Sequence, residues 1–140
     1  MLLKSGTKGV DMRIAIIGSR FIENKEWVGS VITQTVSVAE AQDNPVSLVS
    51  GGSEGINSFV HEWAKENNYD SYMFKPHFLL DSKAEYSPRD FFTRYRQVID
   101  NADSVIVIRL KQKEEPDLLF AVEYATKKGK KPLVLFYDVS

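Results

Sequence analysis

Short runs of consecutive apolar side chains alternate along this chain with stretches in which apolar residues recur every three or four positions. Strand-length runs fall at residues 13–17, 46–50, 71–74, 104–108 and 133–137. Several are apolar at successive positions instead of alternating, the pattern of strands covered on both faces of a parallel sheet. Between them, Trp27, Val28, Val31, Ile32, Thr35, Val36 and Ala39 follow the i, i+3, i+4, i+7 spacing of a helix with one buried face. The same spacing predicts a second helix through Ile56, Phe59, Val60, Trp63 and Ala64, and a third through Phe91, Phe92, Tyr95, Val98 and Ile99. A fourth runs through Leu118, Ala121, Val122 and Ala125, with Gly129 placed to end it in a left-handed cap.

Parallel neighbours need a helix-sized, right-handed crossover, so this alternation predicts a Rossmann-like, doubly wound α/β fold: a mainly parallel five-stranded sheet in a single domain. Pro45, Pro76, Pro88, Pro116 and Pro132 all fall in connections or at element starts, where a missing N–H does least harm. Residues 1–11 read as a flexible N-terminal arm and 12–140 as the domain. Met12 stands directly before the first strand and offers a second translation start. The irregular piece at residues 75–87 exceeds the usual α/β connection, and loops of that length are often functional lids.

Composition narrows the function. The 140 residues, 43% hydrophobic and 26% charged, suit one compact domain that needs no metal or disulfide staple. The absence of cysteine removes thiolate zinc sites, a cysteine nucleophile and a secreted disulfide scaffold, which points to the cytoplasm. A net charge of −1 and a pI near 6.1 disfavour a nucleic acid partner. No apolar run approaches the roughly 20 residues of a membrane span, and the first ten residues lack the apolar stretch of a signal peptide.

In doubly wound sheets ligands collect beyond the carboxyl ends of the strands. The turn after the first strand is Gly18-Ser19-Arg20: glycine permits close backbone approach, serine offers a hydroxyl, and arginine can grip an oxyanion with two N–H groups. It serves equally as a plain turn with a solvated arginine. After the second strand, Gly51, Gly52, Ser53 and Gly55 crowd three of the chain's eight glycines into one turn before a helix. Converging backbone N–H groups and the helix's positive end would seat a phosphate there; the alternative is a tight turn that packs the helix close to the sheet. Neither turn carries the dinucleotide fingerprint or the P-loop ending, so neither a nicotinamide cofactor nor magnesium-dependent triphosphate hydrolysis is indicated, and no cofactor is expected.

A third cluster interleaves Arg89, Arg94 and Arg96 with Phe91, Phe92 and Tyr95 at the start of the third helix. Exposed helix arginines are usually a solvated face, but a helix start near the ligand edge suits a sugar phosphate. His61 and His77 have no partner at metal-ligand spacing, so no metal is expected. Glu114 and Glu115 read as a solvated turn, and Lys127, Lys128, Lys130 and Lys131 as cations at the negative end of the fourth helix.

The segments IAIIGSR at 14–20, LVSGGSEGIN at 48–57 with HEWAKE following, and RYRQVIDNADSVIVI at 94–108, in this order and spacing, resemble the SLOG superfamily, and within it the YspA-like, YpsA-related branch. The resemblance spans residues 12–137. It implies a nucleotide-binding, Rossmann-like domain whose pocket is lined by Gly18, Ser19, Arg20, Gly51, Gly52, Ser53, Gly55, Asn57 and Arg94, and whose partner is a small nucleotide or phosphosugar. The superfamily also holds LOG-type phosphoribohydrolases, which cleave the base from a nucleoside monophosphate, and DprA-type DNA-processing proteins. Departures are Asn57 for the branch's aspartate, Tyr95 for its asparagine, and Asp117-Leu118 where it has a glycine turn. An aspartate there would repel a phosphate. The expected function is therefore a nucleotide sensor or carrier, the alternative a LOG-like hydrolase with Glu54 or Glu123 as its carboxylate. Related domains commonly pair through helices, and Phe91, Phe92 and Tyr124 are candidates for a homo-oligomeric contact or for the core.

Overall fold

The computed structural model describes residues 11–51, 55–74 and 88–138. Five strands, β1 (Met12–Gly18), β2 (Val46–Ser50), β3 (Asp70–Met73), β4 (Ser104–Leu110) and β5 (Leu133–Tyr137), form one sheet in the order β3-β2-β1-β4-β5, with every neighbouring pair parallel. Among the described residues four helices lie between them: α1 (Lys25–Glu40), α2 (Ile56–Glu66), α3 (Pro88–Asp100) and α4 (Pro116–Lys127). This is the Rossmann-like α/β fold expected.

Burial explains why the central strands read as unbroken apolar runs. In β1, Ile14 and Ile16 pack with Leu48, Ile106 and Ile108 beneath α1 and α2, while Ala15 and Ile17 pack with Val49, Val105 and Val107 beneath α3 and α4. Each face has its own core, so both sets of alternate residues must be apolar. The edge strands differ: β3 holds Asp70 and Tyr72 exposed, and β5 exposes Leu133 and Phe136.

Helix ends follow local chemistry. The Asn24 side chain accepts from the Trp27 N–H at 3.0 Å and caps α1. Pro116 opens α4, where its missing N–H costs nothing. Gly129, at φ +75°, closes the same helix as expected, with the Lys130 N–H returning to the Ala125 carbonyl at 3.0 Å. Lys130 itself corrects the sequence reading. Its ammonium donates to the Ile99 and Ala102 carbonyls at 2.6 and 2.7 Å, so it closes the end of α3, not of its own helix.

From β1 the chain steps outward through β2 to β3, then crosses back to β4 and β5. The connections leaving β1 and β4 therefore diverge to opposite faces and open a crevice at the carboxyl end between these two strands.

Candidate functional site

The strand ends at this crevice bring the candidate residues together through three close contacts. Gly18 ends β1 beneath the first turn of α2; a Cβ there would lie 2.5 Å from Ile56 Cδ1. Gly55, at φ +68°, precedes α2, and a Cβ on it would lie 2.7 Å from the Arg20 Cα. At Gly55 only glycine fits, at Gly18 any side chain would displace Ile56, and the pair brings the turn after β1 against the start of α2. Gly51 ends β2, where a Cβ would lie 2.8 Å from Arg94 Nε. The tight-packing role of these glycines is thus evident. Gly52 and Ser53, the middle of the glycine turn, lie outside the described residues, as do Glu54, His77 and the segment 75–87.

Arg94 separates from its neighbour Arg96 as helical spacing requires. Arg96 is exposed, over the Phe120 ring at 5.2 Å, whereas Arg94 is only 1% exposed, its guanidinium 4.4 Å from the Tyr95 ring centre and its Nη1 donating to the Gly51 carbonyl at 3.5 Å. The buried cation therefore lies at the end of β2, beside the glycine turn. Asn57, in the first turn of α2, is buried and donates to the Gly18 carbonyl at 3.5 Å. It also neighbours the Tyr95 hydroxyl, which donates to Asp117 at 3.4 Å. Burial pushes the Tyr95 phenol up to about 12, with Arg94 working against that rise. Asp117 is thus a tertiary acceptor for the Tyr95 hydroxyl.

Ser19 is buried in the turn after β1. Its N–H donates to the Ile108 carbonyl at 3.1 Å and its hydroxyl accepts from the Phe21 N–H at 3.1 Å. The same hydroxyl lies near enough to Glu115 to favour its ionised form. The sequence reading of Glu115 as solvated is overturned: it is 6% exposed. The residue before a proline is held extended, here at φ −125° and ψ 115°, and the fold places Glu115 in the crevice ahead of α4. Burial is the main cause that raises its carboxyl above the usual range; Asp117 adds to the rise, while Ser19, Lys113 and Arg20 oppose it. Its Oε2 and the Ser50 hydroxyl at the end of β2 are buried without a hydrogen-bond partner among the described residues. Arg20 is exposed, and its guanidinium and the Lys113 ammonium approach the Phe21 ring at 5.1 and 3.9 Å.

Of the alternatives raised by sequence, His61 is structural, its Nδ1 2.9 Å from the Ser71 hydroxyl across α2 and β3. Glu123 is exposed on α4. No group of three or more metal-ligating side chains occurs among the described residues, and none of their helices is long and apolar enough to cross a membrane. Sequence reasoning missed Glu115, Ser50 and Lys113; the only sequence signal for the first was its place before Pro116. The chain matches no family model, and no curated protein matches it.

Proposed function

We propose that this protein is a SLOG-type, YspA-like cytoplasmic sensor or carrier that binds a nucleotide or nucleotide-derived phosphate ligand at the carboxyl edge of its sheet. The observation that carries this reading is the guanidinium of Arg94, buried against Gly51 at the end of β2. A cation withdrawn from water gains most from an anion delivered to it, and Gly51 beside it contributes no side chain of its own. Ser50, with its orphaned hydroxyl, and the start of α2 add donors on the same side. The motif order through residues 14–20, 48–57 and 94–108 supports the same assignment.

The hydrolase alternative is the weaker reading, because Glu123, one carboxylate available to it, faces solvent. Incubation with nucleoside monophosphates, cyclic nucleotides and ADP-ribose-like compounds, recording thermal shift and free base together, separates the two. A shift without base release is expected. Base release would support the hydrolase, and no shift with any nucleotide would refute both.

A further inference from the structure

The geometry points to Glu115 and Ser19 as the subsite that recognises the ribose vicinal diol of the ligand, opposite the phosphate end at Arg94. The proposal rests on the nucleotide-binding reading and adds the polarity of the bound molecule. Three observations carry it. Glu115 stands in the crevice between the ends of β1 and β4, where a doubly wound sheet takes its ligand. One of its oxygens, Oε2, is buried with no hydrogen-bond partner among the described residues, and the buried Ser19 hydroxyl lies near the same carboxyl. A buried acceptor left unsatisfied costs about 1–3 kcal/mol, so such an atom at a ligand edge marks a place for a donor from outside.

The class of donor follows from charge and distance. Arg20 and Lys113 act electrostatically on Glu115, and no group of three or more metal-ligating side chains occurs among the described residues, so a metal ion has no ligand set there. An anion would be repelled by the carboxylate and by Asp117. Neutral hydroxyls remain, and a carboxylate beside a serine hydroxyl matches two adjacent O–H groups. Parallel strands stand about 4.8 Å apart, so the ends of β2 and β4, on either side of β1, are separated by roughly 10 Å. Arg94 stands beside Gly51, just past the end of β2, and Glu115 follows β4, so the two belong to strand ends separated by about the length of a phosphorylated pentose.

The test is calorimetric titration of the full chain with adenosine, guanosine, cytidine and uridine 5′-monophosphates and with their 2′,3′-dideoxy counterparts. The native protein is expected to bind at least one ribonucleotide ten-fold or more tighter than its dideoxy form. Glu115→Gln should reduce that ratio to about two-fold while leaving dideoxy affinity unchanged; Ser19→Ala should lower it in part and serves if the first variant does not fold. Equal binding of ribo and dideoxy forms by the native protein would overturn this subsite alone, as would a ratio untouched in both variants. Failure of every monophosphate to bind would overturn the phosphate assignment at Arg94 together with it.

Discussion

At the carboxyl edge of this sheet two ionisable side chains, Arg94 and Glu115, are buried, and the proposed chemistry rests on them. Arg94 meets the Gly51 carbonyl and the Tyr95 ring. Arg94→Ala is expected to abolish the nucleotide-induced thermal shift while leaving the far-UV spectrum intact; a retained shift would place the anion elsewhere. Gly51→Ala pushes a methyl to within 2.8 Å of Arg94 Nε, so it should weaken binding at least ten-fold with a smaller loss of stability, read by titration and urea unfolding. Glu115 makes a pH prediction. Its carboxyl is raised in the folded protein, so the proton is held more tightly folded than unfolded. Stability from this group is complete below the unfolded carboxyl range and is lost as pH rises through the folded value. Glu115→Gln should flatten that decline and melt higher than the native chain at pH 7, an outcome checked by melting temperature against pH; parallel curves would contradict it. The two burials were unequally legible in sequence. Arg94 falls at the edge of the apolar stripe, three residues after Phe91 and four before Val98, whereas Glu115 follows an identical residue in a charged stretch, where only the path of the chain from β4 into α4 decides which side chain is taken inside.

Elements were far more legible than side chains. The runs 13–17, 46–50 and 104–108 are apolar at consecutive positions because each strand separates two cores, and that demand is written directly into composition. Gly129 announced the end of α4 because a left-handed residue has few substitutes. What sequence spacing did not show is which element a terminal side chain serves. Lys130 follows α4, yet its ammonium closes one carbonyl in the last turn of α3, Ile99, and one just past it, Ala102. Lys130→Met keeps most of the apolar stem and removes both bonds, and should cost about 1.5–3 kcal/mol by urea unfolding, with a loss under 0.5 kcal/mol arguing against the role. Gly55→Ala combines positive φ with a backbone clash against Arg20, and should cost more than Gly18→Ala, whose clash is with the movable Ile56 side chain.

At the scale of the whole molecule, the sheet order fixed the place of the site before any side chain did. Strand alternation implied a wound parallel sheet, and the observed order 3-2-1-4-5 puts the divergence between β1 and β4. Hydrogen exchange should rank β1 slowest and β3 and β5 fastest among the strands, since β1 alone is flanked by two buried neighbours. The inside position of β1 also bears on synthesis. Of these five strands the first to be synthesised is the one at the middle, and β2 closes just one of its sides; the other stays open until residue 104 has been made. A nascent chain stalled before that point would present an isoleucine-rich, unsatisfied edge, which makes this interval the one in which chaperone capture or self-association competes with completion of the sheet.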